Sequence, residues 1–440
     1  MKKIGNFVHA EKSPFTQAVR AYIPNIVTLP FCQFKGKDYI CIVEPGDYVK
    51  EGQPIAIAVD SNNKELEAQI HSPIPGKVIS IEQCSLPDGC VGLSAKIMLE
   101  GQFTFLGKKV EENNWRILTD DEILTALNEK GVINSFGKSV LLSKQIKECR
   151  QRENRFLVVR LFDEDPSRMT DSFVAEHFTE KVVEGAKIIA AVMHAQGIVF
   201  VKAAPSKNQN DIFIDKESLK EKSFAIVEAD TNFYPQGFKE NLIHTIKKFS
   251  KNSKNPLEKE FYKVNHKSIF IDPETALCVY EALIYSLPVI ERYVHVTGNS
   301  LKAAAMFRVR LGTSIASLAK QCGGFKKTPS KIVINGLIIG NAISTMDTPV
   351  TKDVKSVAFI PSSDLYDQTL SQCIRCGKCR EVCPEKIYPD LLFRHKIGGK
   401  QVGNEFLETA LLCSGCSLCN CVCPSRLPLS QTINLLKGES

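Results

Sequence analysis

The sequence predicts a multidomain protein in which β-rich and α/β units precede a cysteine-rich C-terminal region. At 440 residues the chain is longer than one hydrophobic core usually supports. Segments typical of strands and of helices alternate through its middle. Nine of its 16 cysteines lie within the 51 residues from Cys373 to Cys423. The last feature predicts a metal-binding region, because disulfides are disfavoured in a reducing cytosol.

The composition is that of an ordinary folded protein, with 43% hydrophobic and 24% charged residues. A net charge of +7 is mild for this length, so nucleic acid is not an expected partner. The most apolar stretch, 188–204, is interrupted by His194, Gln196 and Lys202, and we expect no membrane span. The N-terminus has lysines but lacks the apolar region of a secretory signal, which predicts a cytoplasmic chain.

Residues 31–110 are predicted to be entirely β. Short apolar runs at Tyr39–Val43, Ile55–Val59 and Lys77–Ile81 alternate with turn signals such as Pro45-Gly46-Asp47 and Pro75-Gly76. The two halves of this region look alike, since each has a glycine-containing turn followed by a short strand. We therefore predict a compact two-fold β-sandwich.

The region from 116 to 288 is predicted to be a parallel α/β layer. Three apolar runs have the length of strands, and the residues between the first two, from 171 to 194, show helical spacing. The strand–helix–strand order favours parallel strands. Residues 289–345 predict a small α+β unit with a helix at 313–322. The predicted strands are Phe156–Leu161, Ile198–Ala203, Phe224–Glu228, Arg292–Gly298, Phe307–Gly312 and Lys331–Gly336.

Two cysteine runs carry the chemistry. The spacing C-x2-C-x2-C-x3-C-P occurs at Cys373–Pro384 and again, 40 residues later, at Cys413–Pro424. This spacing is typical of proteins with two [4Fe–4S] clusters, in which the fourth cysteine of each run binds the other cluster. The predicted ligands are Cys373, Cys376, Cys379 and Cys423 for the first cluster, and Cys413, Cys416, Cys419 and Cys383 for the second.

Zinc is the alternative metal for such cysteines. Structural zinc takes four ligands in a closed tetrahedron, usually from two separated C-x2-C pairs. Eight cysteines in two four-cysteine runs do not match that pattern. The ninth cysteine of the region, Cys421, and the seven scattered cysteines are expected to be small packed side chains.

The order of these segments resembles the RnfC family, which supplies one component of the Rnf ion-translocating oxidoreductase complex. Val43–Gln53 and His71–Val78 are similar to the biotinyl/lipoyl-like N-terminal domain of that family, and Leu311–Thr313 to its soluble-ligand-binding β-grasp (SLBB) pattern. Further matching stretches are Tyr234–Gly237, Leu287–Arg292, Val294–Gly298 and Cys423–Pro428. The resemblance implies a barrel-sandwich domain at 1–115, an α/β flavin/NADH-site-like domain at 116–288, an SLBB-like β-grasp domain at 289–345 and a helical ferredoxin-like dicluster domain at 346–440.

The same resemblance implies a function. The chain would relay electrons through two [4Fe–4S] clusters between a soluble redox partner and the membrane subunits of a translocase. It would lie at the cytoplasmic face of the inner membrane as a peripheral subunit. Lipoyl carriers present a lysine between methionines, but Lys64 has no such neighbours, and we expect it to be an ordinary solvated lysine.

Members of the family hold FMN and NADH with a glycine-rich loop, and the matching segment here is Gly131–Leu142. Asn134, Ser135 and Phe136 stand where that loop needs small residues, and the family's Glu-Cys-Glu-Pro stretch aligns with Asp163–Pro166. Two interpretations stay open at this point: a retained flavin/NADH site, or a loop glycine with solvated charges. The residues that decide between them are Gly137, Lys138, Asp163 and Asp165.

Two other functions compete with the electron relay. One is a soluble flavin- and cluster-containing reductase of the cobalamin-reductase type, which shares the central and C-terminal modules. The other is a binding protein in which the clusters only stabilise the C-terminal region. A catalytic residue is not assigned by the sequence.

Overall fold

The computed structural model describes residues 15–32, 39–59, 66–204, 223–365, 371–399 and 403–439. Lys64 lies outside these residues. Two sheets form the N-terminal unit, a parallel sheet and a mixed sheet form the middle, and short helices form the C-terminal region. Nowhere in the described segments is a helix both long and apolar enough to cross a bilayer.

The N-terminal unit packs two antiparallel sheets against each other, with orders β2-β8-β7-β4 and β3-β5-β6. Leu29, Ile55, Ile70 and Ile97 are fully buried between them. The predicted sandwich is therefore confirmed in its strands. The strands of this part of the chain are β1 (Val19–Arg20), β2 (Ile26–Pro30), β3 (Ile40–Cys41), β4 (Tyr48–Val49), β5 (Pro54–Val59), β6 (Leu66–His71), β7 (Gly76–Ser85) and β8 (Val91–Leu99). Of these, β1 belongs to the mixed sheet and not to the sandwich.

The second unit is built on a parallel sheet of order β13-β12-β11-β14, as the strand–helix–strand pattern predicts. Helices cover it. The elements are α1 (Asp120–Glu129), β9 (Ile133–Asn134), β10 (Val140–Leu141), α2 (Leu142–Arg150), β11 (Phe156–Arg160), α3 (Thr170–His177), α4 (Thr179–Val192), β12 (Gly197–Ala203), β13 (Ser223–Ala229), α5 (Lys239–Asn252), α6 (Pro256–Lys259), β14 (Ile269–Ile271) and α7 (Pro273–Ile284).

The single helix expected between 171 and 194 is instead two helices, α3 and α4. They are separated by Phe178, whose backbone has φ −128° and ψ 32°. The Phe178 ring packs 5.3 Å from the ring of Tyr293, a residue of the next unit. Helical periodicity cannot reveal this break, because the contact joins residues far apart in the sequence.

The mixed sheet has the order β1-β16-β15-β19-β17-β18. The predicted strands and the predicted helix are confirmed. The sheet also takes in strands on either side of 289–345, because β19 lies between β15 and β17 and β1 pairs with β16. The bounds are β15 (Glu291–Thr297), β16 (Ala305–Arg310), α8 (Ile315–Gln321), β17 (Pro329–Ile334), β18 (Asn341–Ile343) and β19 (Ser356–Pro361).

The described C-terminal residues form short helices joined by the cysteine loops. The 40-residue repeat of the sequence reappears in the fold, since α9 and α10 have their counterparts in α12 and α13. Helix α10 packs against α13, and α9 against α12. The bounds are α9 (Lys378–Glu381), α10 (Pro389–Gly398), α11 (Asn404–Glu408), α12 (Leu418–Cys421) and α13 (Leu429–Glu439).

A buried lysine joins three units of the fold. The Lys352 ammonium donates to the carbonyl oxygens of Gln69 (2.8 Å) and Gly131 (2.7 Å). Burial lowers the pKa of Lys352 to about 7. Burial, with a smaller contribution from the Lys352 charge, lowers the pKa of nearby His71 to about 3. The folded protein therefore holds His71 neutral.

We expect the free energy of unfolding to decrease as pH falls below 6.5. The unfolded chain protonates His71 near its ordinary pKa of about 6.5, while the folded chain resists protonation until about pH 3. Each such histidine costs up to about 1.4 kcal/mol of stability per pH unit within that window. Urea unfolding between pH 7 and 4 measures the slope. His71→Gln should flatten it, and the exposed control His244→Gln should not.

Candidate metal centre

The two cysteine loops have the same backbone conformation at equivalent positions. In each loop three residues adopt left-handed φ angles: two lie between the first three cysteines, and the third lies three residues after the fourth cysteine. Gly377 and Gly415 supply two of these turns, as their sequence positions predict. The equivalent pairs are Arg375 (φ 55°) with Gly415 (76°), Gly377 (77°) with Ser417 (57°), and Lys386 (55°) with Arg426 (54°).

Members of the first predicted ligand set lie in one cluster of side chains. Cys379 is buried with Phe393 and Leu429, and Cys373 and Cys423 pack against the same cluster. Cys419, which is predicted for the second set, is buried in this cluster as well, whereas Cys376 is exposed and outside it. Burial is the main cause that raises the pKa of the Cys379 thiol to about 11, and Asp390 and Cys423 add to it. Cys423 belongs to the second run, so the structure brings the fourth cysteine of one run to the first cysteines of the other.

The second predicted set is also drawn from both runs. Cys383 and Cys413 pack against a shared apolar cluster that includes Leu392 and Ile433. Burial, with smaller contributions from Cys413 and Cys383, raises the pKa of the Cys416 thiol to about 11. Burial, followed by Cys416, Cys413 and Cys383, raises the pKa of the Cys419 thiol as well. These sulfurs are therefore close enough to interact electrostatically, and binding iron as thiolates would release their protons.

Among the described side chains, no three of His, Cys, Asp and Glu meet closely enough to bind a single metal ion. Cys421, which was expected to be packed, is exposed. Of the scattered cysteines, Cys149 and Cys322 are buried as expected, but Cys32 and Cys90 are exposed, so the expectation is wrong for these two.

The second loop is docked on the α/β unit. The buried Tyr234 hydroxyl donates to the carbonyl oxygen of Cys416 at 2.6 Å. Phe238 packs in the same cluster as Cys416 and Leu418, with Ile338 and Ile339 of the mixed-sheet unit beside it. These contacts exclude water from one side of the loop.

Replacing Tyr234 with phenylalanine should lower the free energy of unfolding by about 1 kcal/mol, because the buried Cys416 carbonyl loses its donor. Hydrogen exchange of the 411–421 amides should also become faster. Tyr262→Phe is the control, since that ring is 54% exposed. Equal exchange in both variants would show that this hydrogen bond does not hold the loop.

A cavity of about 530 Å³ separates the glycine-containing loop from the second cysteine run. Gly137 and Lys138 line it, together with Phe136 and Lys239, and Cys413 and Ser414 lie on its opposite wall. Two of the predicted flavin/NADH residues thus face a space beside a predicted cluster ligand.

The centre of this loop is held by side-chain contacts. The Ser135 amide donates to Thr275 Oγ1 (3.0 Å), and the Phe136 amide donates to Asn134 Oδ1 (3.0 Å). The Arg160 guanidinium lies 4.5 Å from the centre of the Phe136 ring. Phosphate-binding loops need free backbone amides, and these two amides are already used.

The other two predicted residues, Asp163 and Asp165, are buried and do not line the cavity, although Glu164 between them does. Asp163 accepts from the Asp171 and Ser172 amides, both at 3.0 Å, at the start of α3. Asp165 Oδ2 accepts from the Ile338 and Ile339 amides at 2.9 and 3.0 Å. The expectation that these carboxylates are solvated is wrong, because their oxygens position a helix and a loop.

A buried ion network, which the sequence did not predict, occupies the carboxyl ends of β11 and β14. Open α/β sheets bind ligands at such an edge, where the strand order reverses. Here Lys355 donates to Asp171 (2.8 Å) and Asp272 (2.6 Å), and Arg160 donates to Asp171 (2.9 Å). The one signal in the sequence for this ion network is Arg160, a charged residue that directly follows the apolar run Phe156–Val159.

Comparison with known proteins identifies similar chains. Residues 8–101 match the family model described as the RnfC barrel sandwich hybrid domain. The chain is 26% identical over 372 residues to a subunit of the proton-translocating ferredoxin:NAD(+) oxidoreductase complex of Clostridium ljungdahlii, covering 84% of this chain and 79% of that protein. It is 24% identical over 368 residues to the corresponding subunit of the Na(+)-translocating complex of Acetobacterium woodii, covering 83% and 80%. An NAD+-reducing [NiFe]-hydrogenase structure gives a TM-score of 0.49 at 14% identity, covering 72% of this chain and 63% of that one.

Proposed function

We propose that this chain belongs to the RnfC family, whose barrel sandwich hybrid domain its residues 8–101 match, and that it is the electron-relay subunit of a membrane-bound ion-translocating oxidoreductase complex, like the relative to which it is 26% identical. The observation that carries the proposal is the grouping of the cysteines. Cys423 packs in one cluster with Cys373 and Cys379 of the other run, and Cys383 lies near enough to Cys416 and Cys419 of the other run to raise the pKa of their thiols. That interlocked arrangement is the one that two [4Fe–4S] clusters require.

Cys373, Cys376, Cys379 and Cys423 would hold one cluster, and Cys413, Cys416, Cys419 and Cys383 the other. When bound, such clusters supply one-electron oxidation and reduction. The protein contributes the surroundings. The Gly415 amide donates to Cys413 Sγ at 3.4 Å, which stabilises negative charge on that sulfur. Tyr234 and Phe238 keep water from the second loop.

The loop at Gly131–Leu142 does not fit a flavin phosphate, and we derive no step through a flavin. The occupied Ser135 and Phe136 amides and the internal bonds of Asp163 and Asp165 support this part of the proposal. Electrons would then enter and leave through a soluble redox partner and the membrane subunits. The chain would reach the cytoplasmic face of the membrane through those partner subunits.

Anaerobic purification followed by iron, sulfide and flavin analysis tests the proposal. We expect about eight iron and eight sulfide per chain and no flavin, since two cubane clusters account for these numbers. Both clusters should be reducible with reversible EPR signals, and the chain should fractionate with membranes. Flavin at one per chain in a soluble fraction would instead support the reductase alternative, and clusters that cannot be reduced would support the binding-protein alternative.

A further inference from the structure

The two cysteine loops, although equivalent in backbone, differ sharply in exposure. Cys416 is buried against Tyr234 and Phe238, whereas its counterpart Cys376 is exposed. Ile374, which follows the first cysteine of its run, is 65% exposed. The second loop therefore faces the body of the protein, and the first loop faces solvent.

The exposed loop is also cationic. Arg375, Lys378 and Lys386 are all exposed around it, and Glu381 is the exposed acidic residue among them. At the equivalent positions of the buried loop stand Gly415, Leu418 and Arg426. Two of the three cations are therefore specific to the first loop, although its metal-binding pattern needs only the cysteines.

We propose that this face, formed by Ile374, Arg375, Cys376, Lys378 and Lys386, is the docking surface for an acidic redox protein. An exposed apolar residue with several exposed cations and one exposed carboxylate nearby in the chain has the net positive charge that steers an acidic partner. The inference rests on the proposed function. Cys373, Cys376, Cys379 and Cys423 would hold the cluster nearest this face, and its one-electron oxidation would be balanced by the one-electron reduction of the partner's acceptor.

The charges alone would also suit an anionic lipid surface. Cys376 is exposed and lies between Arg375 and Lys378 in the chain, which favours a redox protein, because that cysteine is a predicted ligand of the outward cluster. Electron exchange needs a partner centre close to the cluster, and the cationic residues would hold the partner at that point. The two occupants are separated by the experiment.

The test measures electron transfer from the dithionite-reduced chain to oxidised flavodoxin, an acidic protein whose flavin takes one electron and one proton from water. The triple variant Arg375→Glu/Lys378→Glu/Lys386→Glu should lower the second-order rate constant at least about tenfold at low salt. The difference should shrink as ionic strength rises. A control with the same charge change at exposed lysines elsewhere, Lys144→Glu/Lys259→Glu/Lys331→Glu, should change the rate constant less than about twofold.

Two further measurements make the result decisive. Iron content, EPR signals and reduction of a small neutral quinone should be the same in wild type and variant, which shows that the clusters are intact. An unchanged flavodoxin rate constant would overturn the docking surface. The proposal would also be overturned if the triple variant lost binding to phosphatidylserine vesicles but kept the wild-type rate constant with flavodoxin, because that result would assign the face to lipid. Failure of the proposed function would look different, because the wild type itself would then lack reducible clusters.

Discussion

Replacing Cys416 with alanine should lower the iron content of the anaerobically purified chain from about eight to about four atoms. Cys416 belongs with Cys413, Cys419 and Cys383 to the second set, and Cys413 and Cys383 contribute to raising the pKa of both the Cys416 and the Cys419 thiols. A cubane cluster that loses one of four thiolates is expected to be lost or unstable. Electron transfer through the chain should be abolished, because the relay then lacks one of its two centres.

The crossed ligand pattern gives this prediction its sharpest form. Cys383→Ala, in the first run, should remove the same cluster as Cys416→Ala, so the two variants should have the same residual EPR signal. The single variants Cys423→Ala and Cys376→Ala should each remove the other cluster. Cys421→Ala is the matched control, because Cys421 lies in the same region but is exposed and outside both sets. Iron near eight per chain in Cys416→Ala would contradict the assignment.

Replacing Lys355 with methionine should lower the free energy of unfolding by about 3–5 kcal/mol. The Lys355 ammonium is almost fully buried and lies between two buried carboxylates, Asp171 and Asp272. Burial opposes ionisation of both, but the Lys355 charge holds the pKa of each below its ordinary value. Without the ammonium, Asp272 loses its ion pair with Lys355, while Asp171 keeps the guanidinium groups of Arg160 and Arg168.

Urea unfolding at pH 7 measures the loss, and Lys331→Met is the control, because Lys331 is exposed on β17. The variant should also depend differently on pH. Carboxylates with lowered pKa values contribute stability that is present above about pH 4 and disappears as pH falls through their folded pKa. Wild type should therefore lose stability in acid, and Lys355→Met should lose less. A loss below about 1 kcal/mol at pH 7 would show that the network is not important for stability.

The predicted nucleotide-site residues show that a local sequence motif does not determine the contacts its residues make in the fold. The family resemblance predicts that Gly137, Lys138, Asp163 and Asp165 belong to one flavin/NADH site. In the fold the first two line a cavity, and the carboxylates of the other two accept hydrogen bonds from internal amides. The decisive contacts join Ser135 to Thr275 and Asp165 to Ile338, pairs that are more than 100 residues apart. A motif does not encode whether its backbone amides are free, because the competing partners come from distant strands and helices.

The sequence by itself determined the eight candidate ligands, the parallel strands of the middle region and the β character of the N-terminal unit. These follow from local spacing, because two-residue gaps, strand alternation and helical periodicity act over a few residues. Only the tertiary structure decided that one cysteine loop is buried against Tyr234 while its twin is exposed, and that Lys355 closes the edge of the parallel sheet. Burial and ion pairing depend on which distant segments pack together, and that information is spread over the whole chain.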